Sequence, residues 1–405
     1  MTEERSIKDV LKYVQENSPF YKKHFIGFDT QDFTSLPFTT KQDISEKNEE
    51  FCCVKKSDIA EYVTTSGTSG DPVTIYLTKN DLDRLAENER ASLTLMNGSD
   101  KDLYQLLTTT DKQFMGGIAY YLGVQKMNAG IIRLGPGAVP AQWDSILRYK
   151  PTKLIAVPSF ILNLIEFAEK NGIDYNSTSV DSVICIGEPI RDNEFNYNTL
   201  GKNITSKWNI DLYSTYASTE MSTSFSECSI KMGGHLNSDL LHLEVLSEDD
   251  DQVSNGEAGE IVVTTLKVEG TPLVRYRTGD IATYWSEKCK CGSVSPRVGP
   301  IIGRKNQLIK YRGTSIYPQA IYNVLNSIDE INLYHLEVEQ EDMTTQKLFI
   351  LLAQEDVAEE RLSEIRTLMK AKLKITPDLI LIPIDKLKKT IFDNRKRKPN
   401  RISFK

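Results

Sequence analysis

No apolar run in the chain approaches the ~18 residues that a membrane-spanning helix requires. The opening residues Met1-Thr2-Glu3-Glu4-Arg5-Ser6 carry no apolar core of the secretory kind. Neither a membrane span nor a secreted protein is therefore expected. Cysteine is scarce, six in 405 residues. That is too few for a disulfide scaffold at this length, and a reducing cytoplasm is the expected home. Positive charge is not in excess: 49 Lys and Arg against 56 Asp and Glu leave a formal net charge of −7, which argues against a general nucleic-acid binder. Internal repeats and low-complexity segments are also lacking. What is left is an ordinary globular composition, 40% hydrophobic and 26% charged, at a length that suits two domains.

The most informative stretch is Val63-Thr64-Thr65-Ser66-Gly67-Thr68-Ser69-Gly70-Asp71-Pro72. Gly67 and Gly70 let the backbone turn sharply and approach a ligand closely. Successive N–H groups in such a turn form an anion-binding nest, with the Ser and Thr hydroxyls as further donors. Glu61-Tyr62-Val63 before it and Pro72 to Leu77 after it read as strands, so a hairpin is predicted. A Walker loop is excluded, because no Gly-Lys-Ser/Thr and no helix follow directly.

Residues 6–17 space apolar side chains at helical intervals, and Ser18-Pro19 breaks the pattern. Thr40 is placed to cap a helix, and Lys79 to Met96 reads as a helix with Leu82, Leu85, Ala86 and Leu93 inward. Strand-like runs at 104–107, 130–134, 153–157 and 182–186 alternate with helical text at 143–148 and 160–170, which argues for a largely parallel α/β sheet. Past about residue 210 strands dominate (241–245, 260–265, 273–277). The last hundred residues mix helices at 320–326 and 359–372 with strands near 333–338, 347–352 and 379–383. The expectation is an α/β fold: a large N-terminal α/β domain with mixed sheets and a β-rich part, followed by a small α+β domain. The boundaries are drawn at 1–303, 304–307 and 308–405.

Cys228-x₆-His235 and Cys289-x-Cys291 offer four soft or borderline ligands in the strand-rich third, a set compatible with tetrahedral structural Zn²⁺. The competing reading is free buried cysteines with a surface His235. Cys52, Cys53 and Cys185 read as packing residues.

Taken together, the motifs resemble those of AMP-forming adenylating enzymes. Thr65 to Pro72 is similar to their phosphate loop. Ile186-Gly187-Glu188-Pro189 looks like their adenine-side motif, and Tyr216-Ala217-Ser218-Thr219-Glu220 like their Tyr-Gly-x-Thr-Glu motif. Tyr276-Arg277-Thr278-Gly279-Asp280 resembles the ribose motif, and Gly303-Arg304 the start of the hinge. Ser18-Pro19-Phe20-Tyr21, Leu36-Pro37-Phe38-Thr39-Thr40-Lys41 and Cys289-Lys290-Cys291-Gly292 point to the phenylacetate–CoA ligase-like branch.

The resemblance implies a reaction and a division of labour. A carboxylate and ATP give an acyl-adenylate and pyrophosphate, and a thiol then releases AMP. Ser66, Gly67, Thr68, Ser69 and Gly70 would hold the β- and γ-phosphates. Glu220 would ligate Mg²⁺, with Thr219 on the α-phosphate. Gly187, Glu188, Pro189, Tyr216, Ala217 and Ser218 would form the adenine side. Asp280 would accept the ribose hydroxyls, and Arg304 would supply a fixed cation. Phe114, Gly116, Gly117, Tyr120 and Tyr121 would line the acyl pocket and suit an aryl or other small apolar acid.

The small domain would be mobile about Asn306, and Lys398 would bring a cation to the reacting oxygens, its spacing to Arg401 fitting the family better than Lys396. Coenzyme A is the implied acceptor, with a carrier-protein phosphopantetheine as the alternative. A homodimer is the base-rate expectation. Asp71, Tyr121, Asn306 and Arg397 depart from the family pattern, and they motivate a third reading, a catalytically degenerate nucleotide-binding protein.

Overall fold

The computed structural model describes residues 3–65, 72–312, 314–328, 330–331, 333–340, 346–392 and 400–405. Helix α1 (Glu3–Asn17) forms where Val10, Leu11 and Val14 recur at helical spacing, and all three are buried. Ser18 both ends it and caps the next helix. Its side chain accepts from the Tyr21 N–H, and Pro19 occupies the first turn of α2 (Pro19–His24). The expected break is thus a joint between two helices. Thr40 starts α3 (Lys41–Glu46) through a reciprocal capping box with Asp43. The expected hairpin is present: β1 (Glu61–Thr64) and β2 (Thr74–Leu77) pair antiparallel with Thr64 opposite Thr74. Thr78 and Asp81 form a second capping box at α4 (Lys79–Leu95), which buries Leu85, Ala86 and Leu93.

The alternating text becomes a parallel sheet. Strands β3 (Leu103–Leu106), β4 (Gly130–Arg133), β5 (Lys153–Ala156), β6 (Ser182–Cys185) and β7 (Asp211–Ser218) lie in the order β4-β3-β5-β6-β7 with every pairing parallel. The crossovers carry α5 (Met115–Lys126), α6 (Val139–Tyr149), α7 (Pro158–Asn171) and α8 (Thr199–Thr205). Every residue of β5 and β6 is buried, as expected of strands covered on both faces. Gly172 closes α7 in the left-handed conformation.

The sheet then turns antiparallel. Beyond β7 come β8 (Thr223–Glu227), β9 (Gly234–His235), β10 (Leu241–Leu246), β11 (Ala258–Thr265), β12 (Tyr276–Trp285) and β13 (Arg297–Val298), ordered β10-β11-β12-β13-β9-β8-β7. The strand predicted at 273–277 is corrected here: β12 begins at Tyr276. Arg275 sits at φ +45, and the N-terminal segment supplies partners instead. Thr39 donates to the Arg275 carbonyl and accepts from Arg277, while Tyr21 Oη accepts from the Val274 N–H.

Compactness divides the chain into two units, Met1–Thr65, Pro72–Thr278 and Ala282–Ile301 in the first, Gly279–Ile281 with Ile302–Lys405 in the second. In the second, Asp280 and Ile281 pair antiparallel with β14 (Gly303–Arg304). A short hairpin, β15 (Ile309–Tyr311) and β16 (Thr314–Ile316), is followed by α9 (Pro318–Leu325). A sheet follows in the order β19-β18-β17-β20, built from β17 (Tyr334–Gln340), β18 (Gln346–Ala353), β19 (Asp378–Ile382) and β20 (Ile402–Phe404), with α10 (Leu362–Leu373) and α11 (Ile384–Ile391). Its core gathers Ile321, Leu336, Ile350 and Met369 among others. No helix among the described residues is long and apolar enough to cross a membrane.

Candidate active site

Glu220 sits on the tight turn between β7 and β8, where Ser218 pairs with Thr223. The turn is fastened locally: Met221 N–H donates to Ser218 Oγ and Ser222 N–H to the Thr219 carbonyl, with Ser222 at φ +49. It is also fastened from beneath by Arg84 of α4, a buried guanidinium. Arg84 donates to the carbonyls of Ser222 (2.6 Å), Leu266 (2.7 Å) and Leu240 (2.5 Å). Burial lowers the Arg84 pKa to about 10, which still leaves it charged at neutral pH.

Glu220 is 8% exposed, and Lys41 Nζ lies 3.4 Å from its Oε1. Lys41 is the first residue of α3, so the Thr40 capping box and the Thr39 bridge to β12 set where its ammonium points. A carboxylate has more lone pairs than one ammonium can use. The remaining oxygen capacity suits a hard divalent cation such as Mg²⁺.

The N-terminal motifs act through these contacts. Tyr21 Oη and Thr39 Oγ1 are 3.1 Å apart, and Thr39 Oγ1 donates to Val274 O at 2.7 Å. Phe38 lies beside two guanidiniums, Arg275 at 4.2 Å and Arg277 at 3.9 Å from the ring centre. Arg275 in turn pairs with buried Glu244.

Other expected site residues are placed as follows. Tyr216 is half-buried, its ring 5.7 Å from Phe225; Ala217 is exposed. Gly187 has φ +76 and open space where a side chain would stand. The Glu188 carboxylate is committed to the start of α7, accepting from Ser159 N–H (3.0 Å) and Oγ (3.1 Å). What the Gly187-Glu188-Pro189 turn can offer a ligand is therefore mainly backbone.

The residues expected to line the acyl pocket lie on or just before α5, and their burial differs. Tyr120 is buried in the core with Tyr104, Leu106 and Ile184, and its hydroxyl donates to Thr215 Oγ1. Phe114 and Tyr121 are half-buried, and Arg133 lies 4.8 Å from the Tyr121 ring. A side chain at Gly117 would meet Thr109 O at 1.9 Å, so glycine is required there; at Gly116 it would meet the Phe114 ring at 2.7 Å.

In the second unit Asp280 is buried, and Arg304 Nε donates to its Oδ1 at 3.0 Å across the β12–β14 pairing. Asn306 is exposed on the single turn Lys305–Gln307. Ser66, Gly67, Thr68, Ser69, Gly70, Lys396 and Lys398 lie outside the described residues. The neighbours of these segments are tied down. Thr65 exchanges hydrogen bonds with Val73. Asn400 N–H donates to Ile391 O at 2.8 Å, and Arg401 Nη1 to Tyr334 Oη at 3.2 Å.

Cys228, His235, Cys289 and Cys291 converge in the first unit, their ligand atoms all within 4.8 Å of one another. Burial, then the charge of Arg297, lowers the His235 pKa to about 4, so its imidazole is neutral.

Sequence reasoning missed Lys41 and Arg84. Lys41 was visible only as the last letter of the Leu36–Lys41 motif. The signal for Arg84 was a lone cation beside the inward positions Leu85 and Ala86.

The architecture defines a mixed α/β protein with a buried carboxylate held on a fastened turn. The AMP-binding enzyme family matches residues 3–268, and the chain belongs to that family. Its similarity runs to the phenylacetate–coenzyme A ligase branch. It is 28% identical over 342 residues to a phenylacetate–coenzyme A ligase of Thermus thermophilus, covering 81% of this chain and 75% of that protein. It is 25% identical over 354 residues to an indoleacetate–lysine synthetase of Pseudomonas savastanoi, covering 82% and 80%. A solved 2-hydroxyisobutyryl-CoA ligase, in the postadenylation state with R3-HIB-AMP, shares the fold with a TM-score of 0.84, at 20% identity over 100% of this chain and 89% of that one.

Proposed function

We propose that the chain is an AMP-forming carboxylate–CoA ligase whose acid is an arylacetate or a related small apolar acid. The acid oxygen attacks the α-phosphorus of ATP, the bond to the β-phosphate oxygen breaks, and pyrophosphate leaves. The thiol of coenzyme A then attacks the acyl carbon, and AMP departs. The observation that carries this reading is buried Glu220 on its fastened turn with Lys41 beside it. In a polyanion site such a carboxylate serves by holding a divalent cation.

Mg²⁺, when bound there, would offset charge on the phosphate oxygens. The chain's own groups do the positioning, which is most of what phosphoryl-type chemistry asks of a protein. Ser66, Thr68 and Ser69 with the Gly67 and Gly70 amides cradle the β- and γ-phosphates, and Thr219 contacts the α-phosphate. Gly187, Glu188 and Pro189 wall the adenine through backbone while Tyr216 stacks on it. Asp280 accepts the ribose hydroxyls, with Arg304 fixing its orientation. Phe114, Gly116, Gly117 and Tyr121 shape the acyl side, with Tyr120 holding α5 from the core. Residues 304–307, with Asn306, serve as the pivot for residues 308–405, which carry Lys398. A cytoplasmic location fits the free cysteines and the need for ATP and coenzyme A.

Both named relatives carry an arylacetate in their names, and they differ in acceptor. This favours one second reading, in which an amine such as lysine takes the acyl group. The test is pyrophosphate release across a carboxylic-acid panel, with coenzyme A, a phosphopantetheine-bearing carrier protein and free lysine offered in turn. Arylacetate-dependent release followed by CoA thioester and AMP is the expected result. Amide formation would select the second reading. No release with any acid, together with no ATP binding, would overturn both.

A further inference from the structure

The four Cys and His residues belong to no step of this chemistry, yet they are built into one place. Cys228 directly follows β8, His235 lies on β9, and Cys289 and Cys291 flank the turn that leads to β13. Strand β9 is two residues long and pairs on both sides, His235 standing opposite Ser226 of β8 and Arg297 of β13. The turn is shaped by Gly292 at φ +97, with Gly292 N–H donating to Cys289 O and Cys289 N–H to Ser293 O, both at 2.9 Å.

We propose that Cys228, His235, Cys289 and Cys291 form a closed, tetrahedral Zn²⁺ site that clamps β8, β9 and the 286–296 turn together. The spacing excludes a disulfide and fits a shared ion. A tetrahedron with Zn–S of about 2.3 Å and Zn–N of about 2.0 Å places sulfurs about 3.8 Å apart and sulfur about 3.5 Å from nitrogen. Cys228 Sγ and Cys289 Sγ are 3.8 Å apart, and Cys291 Sγ is 3.6 Å from His235 Nε2. A disulfide would need about 2.05 Å. These two pairs stand at the separation of ligands sharing an ion, and all four ligand atoms lie within 4.8 Å of one another.

The surroundings agree. His235 Nδ1 is 3.1 Å from Ser295 Oγ, itself 3.1 Å from Ser293 Oγ. That contact engages one ring nitrogen and leaves Nε2 for the metal, the arrangement that orients metal-bound imidazoles elsewhere. Three thiolates and an imidazole select a borderline-soft tetrahedral ion over a hard one. Because the protein supplies all four ligands, no position is left open for water or substrate, and the ion is structural.

The fold has a use for it. Strands β9 and β13 are two residues each, and the turn between β12 and β13 exposes Val294 at 75% rather than burying it. Phe225, Leu236 and Val298 bury this end of the sheet, but the turn itself adds no apolar anchor at Val294.

The experiment is metal analysis of full-length protein purified without a metal-affinity column, joined to Co²⁺ substitution. About one zinc per chain is expected, falling to background in a Cys289→Ser/Cys291→Ser double variant. Co²⁺ bound to metal-stripped wild type should show tetrahedral d–d bands with thiolate charge transfer. That spectrum needs no variant, so it decides even if the serine variant fails to fold. Zinc at background in the wild type together with a spectrum lacking thiolate charge transfer would overturn the proposal, as would full zinc retention in the double variant. Neither outcome touches the adenylation reading, which is scored by pyrophosphate.

Discussion

Glu89 shows how one side chain can make the whole first unit sensitive to pH. It lies on α4, 4% exposed; Asn88 Nδ2 and Ser224 Oγ donate to its Oε1, while its Oε2 lacks a partner. Burial lifts its pKa to about 7. An acid whose folded pKa is raised binds more protons folded than unfolded between the two values. Its contribution to stability is therefore fully present below about pH 4.5 and is lost as pH rises to about 7. Glu89→Gln removes the dependence. Comparing urea unfolding of the two proteins at pH 5 and pH 8 should show the variant gaining about 3 kcal/mol on the wild type at the higher pH.

At the proposed site, Glu220→Gln should slow arylacetate-dependent pyrophosphate release by more than about 100-fold with little change in Tm. Asp280→Asn should weaken ATP by about 10- to 100-fold, the scale of a charge-assisted hydrogen bond, in a direct titration.

Among the elements, the β7–β8 turn depends on a residue far away in the chain. Arg84 satisfies three backbone carbonyls at once and is fully buried, so Arg84→Met would strand all three. A loss of about 3 kcal/mol is expected from the denaturation midpoint, with pyrophosphate release falling as the Glu220 turn loosens. A lysine there should recover part of the stability but less of the rate, since one ammonium cannot reproduce the planar fork.

Helix α5 was not legible in the sequence. Gly116-Gly117 weakens its helical signal, yet glycine is needed at 117 because Thr109 O comes so close. The Thr78–Asp81 box likewise emerged only in the structure. By contrast, the hairpin, the Thr40 cap and the parallel strands were legible. Each rests on a short-range rule: a turn glycine, a cap three residues from its partner, or a run of β-branched residues.

For the whole molecule, the expected division of labour places the cation for adenylation at Lys398. Lys398→Ala should abolish pyrophosphate release while Lys396→Ala spares it, and Lys398→Ala should still pass a supplied acyl-adenylate to coenzyme A. The reverse pattern between the two lysines would move the role to Lys396.

The sequence by itself determined the family and the order of the motifs, because each motif is carried by a few adjacent residues. It also determined the two classes of secondary structure, through periodicities of 2 and 3.6 residues. Only the tertiary structure decided which groups meet: Lys41 with Glu220, Arg84 with Ser222, Arg304 with Asp280, and two cysteine-bearing segments with one histidine. Those pairings bridge residues distant in the chain. Their geometry is set by sheet register and core packing, which no local pattern encodes.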